Sequence, residues 1–270
     1  MNGFLRDPIR VLLKFAWLLG EIGLAATRFF PSVVVAVGPK GQKRTKWLQS
    51  SSRRVLKVFN VQATTSGAIP ESGFLICNHL SYLDVLVLSA TTPCTFIAKR
   101  EIRGWPLLGW LACRGGCLFI DRRKRADVVR INDEINKVLE AGLLLVVFPE
   151  GTSSAGRNVL PFKSSLLEPV IEARQHVFAG KIGYSLADGD VHQEVCYWGD
   201  MTLVPHVINL LSKKSVQARV DFCTITNLPE NRKILARQLH SLISQLGSAD
   251  EARESKQTGL VDFSTIRRMV

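Results

Sequence analysis

Apolar and polar positions change rhythm along this chain. From Val11 to Val37 the residues are mostly apolar, interrupted by Lys14, Glu21 and Arg28, each seven residues from the last. Seven residues is close to two helical turns, so the three charges share one stripe of a helix. The pattern predicts an amphipathic helix or helical hairpin broken at Pro31, whose ring blocks a helical hydrogen bond. Gly38-Pro39-Lys40-Gly41-Gln42-Lys43-Arg44 then reads as a basic turn.

After Pro70 short apolar runs alternate with stretches of helical period. The runs predict strands over Phe74–Asn78, Thr95–Lys99, Gly116–Asp121, Leu143–Phe148, Val177–Tyr184, Glu194–Trp198 and Ser215–Cys223. Between them the spacing predicts helices over Ser81–Ala90, Pro106–Cys113, Ala126–Ala141, Ser164–Gln175, Leu203–Ser212 and Arg232–Leu246. Val128, Ile131, Ile135, Val138 and Leu139 form one buried stripe, with Gly142 as a natural helix stop. Strand–helix alternation points to an α/β fold with a central mixed sheet flanked by helices. Three regions follow: an N-terminal basic and apolar segment over residues 1–54, an α/β domain over 55–246, and a polar tail over 247–270.

Composition sharpens the reading of the first segment. The chain has 270 residues, 46% of them hydrophobic, and a formal net charge of +12. Residues 1–60 hold eleven Lys/Arg and two Asp/Glu, so 11 − 2 = +9 of that charge lies there. A segment both apolar and basic suits an anionic membrane surface, where each basic residue contributes roughly 1 kcal/mol. A nucleic-acid binder would be basic without needing such apolarity, and no recognition motif appears. No run reaches the ~18 uncharged residues of a confident membrane span. The expected arrangement is a helix lying in the interface; an ordinary surface helix packed on its own domain is the alternative. Six cysteines lie mostly in apolar runs, and the closest pair, Cys113 and Cys117, has no His or further Cys nearby to complete a zinc site. They read as reduced core thiols.

The chemistry sits at two strand ends. Gly73-Phe74-Leu75-Ile76 runs into Cys77-Asn78-His79-Leu80-Ser81-Tyr82-Leu83-Asp84. A neutral imidazole can take a proton from an alcohol, and does so best when a carboxylate holds its other ring N–H. That geometry requires His79 in the turn before a helix and Asp84 in its first turn. Ser81-x-x-Asp84 is also close to a capping box, so Asp84 has a purely structural alternative. Leu143 to Phe148 is the second apolar run, ending in Pro149-Glu150-Gly151-Thr152-Ser153. Gly151 permits a loop whose backbone N–H groups face an anion, and Glu150 could bind an acceptor hydroxyl or a basic side chain. Arg122, at the end of a third run, is placed to hold a phosphate with its planar fork. Trp105 to Leu111 is strongly apolar and either walls a cavity or is plain core.

Four stretches in this order resemble the glycerolipid (lysophospholipid) acyltransferases: Asn78 to Asp84; Lys99 to Gly109 continuing to Phe119-Ile120-Asp121-Arg122; Phe148 to Thr152; and Leu160-Pro161-Phe162-Lys163. The resemblance covers roughly residues 55–225. It implies that His79 deprotonates an acceptor hydroxyl, which attacks the thioester of acyl-CoA or acyl-carrier protein, with Asp84 orienting His79. It further implies that Arg122, Glu150, Gly151 and Thr152 place the lysolipid acceptor, with Asn78, Lys99 and Lys163 as further substrate-binding candidates. Neither a metal nor a cofactor beyond the thioester co-substrate is implied, and the work would be done at the cytoplasmic face of a membrane. Two departures stand out. Ser153 occupies a position where the family often carries an Arg, and His176-Val177-Phe178-Ala179-Gly180-Lys181 replaces a Pro-Val-x-Pro-like strand. Losing an Arg removes a bidentate phosphate contact, so a lyso-ornithine lipid stands beside 1-acylglycerol-3-phosphate as acceptor. A catalytically silent lipid-binding protein of the same fold is the reading from another class.

Overall fold

The computed structural model describes residues 7–35, 39–105, 108–121, 125–247 and 260–262. Its centre is β2 (Gly73–Cys77) beside β5 (Leu144–Val147), two runs in which every residue is buried. Such unbroken apolar runs suit a parallel strand covered on both faces. Around them lie β1 (Val61–Ser66), β3 (Cys94–Lys99), β4 (Leu118–Ile120), β6 (Val177–Leu186) and β7 (Val216–Asn227), in the order β1-β7-β6-β2-β5-β3-β4. All neighbours on this path are parallel except β6 and β7, so the sheet is mixed.

Side chains alternate between two cores. Leu75 and Cys77 join a cluster with α2 (Lys40–Phe59), α3 (Leu83–Thr91) and α8 (Leu203–Ser212). Phe74 and Ile76 join the opposite cluster, with α5 (Arg125–Glu140), α6 (Glu168–Glu172) and α9 (Arg232–Gln245). Of the expected stripe of α5, Ile131, Ile135 and Leu139 are buried and Val138 is half-buried, while the Val128 side chain lies outside what the structure describes.

Several expectations are corrected. The apolar stretch 194–198 is not a strand: α7 (Val191–Glu194) is capped by Asp190, and Tyr197 N–H donates to Leu80 O at 2.8 Å. Its apolar residues are buried by packing against the His79 loop, not by pairing. The helix expected over Ser164–Gln175 is a 3₁₀ turn, Ser164–Leu166, followed by the short α6, with Pro169 in its first turn. Proline suits that entry position and no interior one. Lys40 to Arg44 do not form a turn; they open α2, with Pro39 at its N-cap. Residue 54 therefore falls inside a continuous helix. In the C-terminal tail, β8 (Leu260–Asp262) pairs in parallel with β7.

The N-terminal helix α1 (Pro8–Phe29) is started by the Asp7 carboxylate, which accepts Arg10 N–H at 2.9 Å. Pro31 lies in a π-helical segment, Phe30–Val35, that directly follows α1. Val11, Leu18, Ala25 and Phe29 are buried. Two of the three charges in the heptad stripe turn inward with them. Lys14 Nζ donates to Lys213 O at 3.2 Å, and Arg54 of α2 pairs with Glu21 at 2.5 Å; Arg28 is exposed. The opposite side presents Ile9, Leu12, Leu13, Trp17 and Leu19 to solvent. Among the described residues no helix is long and apolar enough to cross a membrane.

Candidate active site

β2 and β5 are parallel neighbours, so the loops that follow them leave the same edge of the sheet, where open α/β folds bind ligands. Asn78 sets the exit of β2. Its side-chain amide donates to Ile182 O at 3.0 Å and accepts Ile182 N–H at 2.8 Å, extending the β2–β6 ladder by one rung. Both amide atoms are thus engaged and the residue is buried, so Asn78 anchors the strand end, whereas the resemblance implied a substrate contact.

His79 comes next. Its Nδ1 lies 2.7 Å from Asp84 Oδ2. Asp84 is fully buried in the first turn of α3, and it also accepts Leu80 N–H at 2.6 Å, Ser81 N–H at 3.0 Å and the Tyr184 hydroxyl at 2.7 Å. Donors on every side make this a site for an ionised carboxylate, which can only accept. Nδ1 must therefore carry the proton, and Nε2 is the nitrogen with a free lone pair. Burial pushes the Tyr184 hydroxyl well up, so it remains a donor. Both alternatives for Asp84 are realised at once: one carboxylate receives the backbone of the helix entry and orients the imidazole. Ser81 does not complete a capping box, since its carbonyl accepts Asp84 N–H at 3.1 Å and its hydroxyl is buried without a partner.

The loop after β5 holds His79 from the other side. Glu150 Oε1 accepts His79 N–H at 2.6 Å and Oε2 accepts Leu160 N–H at 2.8 Å. Ser154 N–H donates to His79 O at 3.0 Å, and the Phe148 ring stacks on the imidazole at 4.1 Å. Gly151, at φ 71°, makes the tight return by donating its N–H to Phe148 O at 3.0 Å. A side chain there would strain the loop. Glu150 is 2% exposed, and burial raises its carboxyl above the ordinary range against the opposing pull of the two N–H bonds. Both Glu150 oxygens accept backbone N–H groups, and Glu150 is not among the residues lining the cavity beside His79.

Beside His79 opens a cavity of about 690 Å³, within the ~300–1,000 Å³ of small-molecule sites. Leu48, Leu86, Phe96 and Leu111 give it an apolar depth, while Lys99, Glu101, Gly151, Thr152 and Ser153 line its polar part. Lys99, Gly151 and Thr152 are thus brought together with His79 as expected. Lys163 is not: its side chain is exposed outside the lining, and its N–H donates to Pro149 O at 2.9 Å. Arg122 lies outside the described residues, as do Pro106 and Leu107, and the Leu108 side chain is likewise not described. Trp105 and Leu111 of that segment do line the cavity. Cys117 also lines it, and burial pushes its thiol up to about 12, far from a nucleophilic thiolate.

Tyr184 and His206 are the residues that sequence reasoning missed. His206 is buried; its Nε2 donates to Cys196 O at 3.1 Å, and its Nδ1 accepts from the Tyr82 hydroxyl at 3.0 Å. Burial lowers its pKa and keeps it neutral, so it pins the cavity-lining Tyr82. A buried tyrosine hydroxyl needs a partner, and that is the one signal that marked either contact.

The chain belongs to the Acyltransferase family, whose model matches residues 60–209 and so spans both loops of this site. It is a lysophospholipid-type acyltransferase. A lyso-ornithine lipid O-acyltransferase of Pseudomonas aeruginosa is 33% identical over 247 residues, spanning 87% of this chain and 92% of that protein. A 1-acyl-sn-glycerol-3-phosphate acyltransferase of Neisseria meningitidis is 32% identical over 193 residues, spanning 70% and 75%. A crystal structure of a 1-acyl-sn-glycerophosphate acyltransferase from Thermotoga maritima shares the fold, with TM-score 0.61 at 18% identity over 91% of this chain and 98% of that one.

Proposed function

We propose that this protein moves a fatty acyl group from acyl-CoA or acyl-carrier protein to a free hydroxyl of a lysolipid. The observation that carries this reading is the His79–Asp84 pair at 2.7 Å opening onto an apolar cavity. Nε2 of His79 takes the proton of the acceptor hydroxyl as its oxygen attacks the thioester carbonyl; Asp84 stabilises the imidazolium that forms. Collapse of the tetrahedral intermediate expels the thiolate, which takes the proton back. No acyl-enzyme is required. Lys99, Gly151, Thr152 and Ser153 line the polar part of the cavity, where an acceptor headgroup would lie.

Two headgroups compete. Ser153 in the lining offers a hydroxyl where an Arg would clasp a phosphate dianion, which favours a lyso-ornithine lipid over 1-acylglycerol-3-phosphate. The 92% coverage of the lyso-ornithine relative supports the same choice. The outward apolar side of α1, beside a segment of charge +9, would lie in the interface of an anionic membrane on its cytoplasmic side. Leu13→Glu should then reduce flotation with anionic liposomes without unfolding the protein; undiminished flotation counts against that role.

The test is transfer of labelled acyl groups to both lysolipids by wild type and His79→Ala. The variant should keep the fold and lose at least about 10²–10⁴-fold in rate, the range of a general base. Full activity in His79→Ala removes the base role, and no turnover by wild type with either lysolipid and either donor restores the silent lipid-binding alternative.

A further inference from the structure

A second cleft, about 400 Å³, lies at the open edge of the sheet formed by β4. Its charged walls are Arg100 and Arg103, from the 3₁₀ segment Arg100–Gly104 after β3, and Arg130 and Glu134 from α5. Arg130 is engaged: it pairs with Glu134 and donates to Phe119 O at 2.8 Å. Arg100 and Arg103 are exposed and have no ion pair among the described residues. Three guanidinium groups against one carboxylate leave the cleft at 3 − 1 = +2, the complement of a phosphate. Cys117 lines both this cleft and the cavity beside His79, so the two adjoin.

Strand geometry says which phosphate. Phe96 and Leu75 both pair with Val146, so β2 and β3 run in step toward the edge from which the His79 loop and the Arg100–Gly104 segment leave. They are two strand steps apart and β4 is three, or roughly 10 and 14 Å at about 4.8 Å per step. The phosphate of a glycerophosphate acceptor sits only about four bonds from its reacting hydroxyl, or ~5 Å at about 1.2 Å per bond of extended chain. Pantetheine places about thirteen bonds between thioester sulfur and phosphate, or ~15 Å by the same measure. With the thioester at His79, a spacing of that size matches the pantetheine arm more closely than the short glycerophosphate.

We infer that the Arg100–Arg103–Arg130 cleft binds the phosphate at the end of the donor's pantetheine arm. The assignment rests on the acyl-transfer reading above. Acyl-CoA and acyl-carrier protein both carry that phosphate, and the cleft recognises what they share.

The test is an Arg100→Gln/Arg103→Gln double variant, whose side chains are exposed and unpaired. It is assayed with acyl-CoA, acyl-carrier protein and acyl-pantetheine lacking the phosphate, using the lysolipid that wild type acylates best. KM for the phosphorylated donor that wild type uses should rise roughly tenfold to a hundredfold, as for two lost charge-assisted contacts. KM for acyl-pantetheine and for the lysolipid should stay put. A rise in lysolipid KM instead, an equal rise for acyl-pantetheine, or no change would each overturn the assignment. Calorimetry with 4′-phosphopantetheine alone, binding wild type and not the variant, keeps the cleft testable apart from turnover. If wild type binds it yet transfers no acyl group, the acyl-transfer reading fails while the cleft stands.

Discussion

The loops after β2 and β5 leave neighbouring strands at one edge of the sheet, and each delivers an ionisable residue. Their fates differ. His79 keeps 21% of its side chain exposed and lines the cavity, whereas Glu150 is 2% exposed with both oxygens on backbone amides. In the proposed mechanism one loop carries the reacting group, and the other carries what holds it still. Asp84, in the first turn of α3, is fully buried and in that mechanism would act only through His79. Exposure and the direction of hydrogen bonds, not charge or motif membership, separate a group that touches substrate from one that positions it.

That contrast can be broken by substitution. Asp84→Asn should cost about 10²–10⁴-fold in kcat, because an amide offers Nδ1 either one acceptor or an opposing N–H and the wrong tautomer becomes accessible. Acyl transfer under saturating substrates measures this; a loss below threefold would mean that Asp84 only shapes the helix entry. Glu150→Gln comes next, at about tenfold in kcat with KM little changed. One of the two backbone N–H groups loses its acceptor, at about 1–3 kcal/mol of stability. Unaltered melting temperature together with raised acceptor KM would return Glu150 to the substrate contacts.

The same residue gives a pH signature with a definite sign. Its carboxyl is raised in the folded state, so above the ordinary value of 4.5 the native protein holds a proton that the unfolded chain has released. Stability therefore falls with rising pH across the window from 4.5 up to the raised value. Glu150→Gln should flatten that slope in denaturant melts at stepped pH; identical slopes would contradict the assigned burial. Tyr184→Phe is the smallest effect expected, severalfold in kcat, because Asp84 keeps its other donors. A loss as large as that of Asp84→Asn would make Tyr184 part of the reacting set.

How much of this was readable depends on distance along the chain. Strands β2 and β5 were legible because their apolar runs are continuous, and His79 and Asp84 because a strand end and a helix start bring both close together. The lateral contacts were not. Tyr184 reaches Asp84 across a separation of 100 residues, through the register of β6 on β2. The heptad charges of α1 signalled a helix correctly but not its outward side, since Lys14 finds its acceptor 199 residues away and Glu21 finds Arg54 on the next helix. The stretch 194–198 looked like a strand because apolarity over five residues does not distinguish pairing from packing over a loop.

The account stands on His79 and Asp84 acting as one unit, and a double-mutant cycle on acyl transfer tests that most directly. If Asp84 works only through the imidazole, His79→Ala/Asp84→Asn should be no slower than His79→Ala alone, within about threefold. Rate losses that multiply across the two substitutions would show the carboxylate acting on the reaction by another route, and would contradict the pair as drawn.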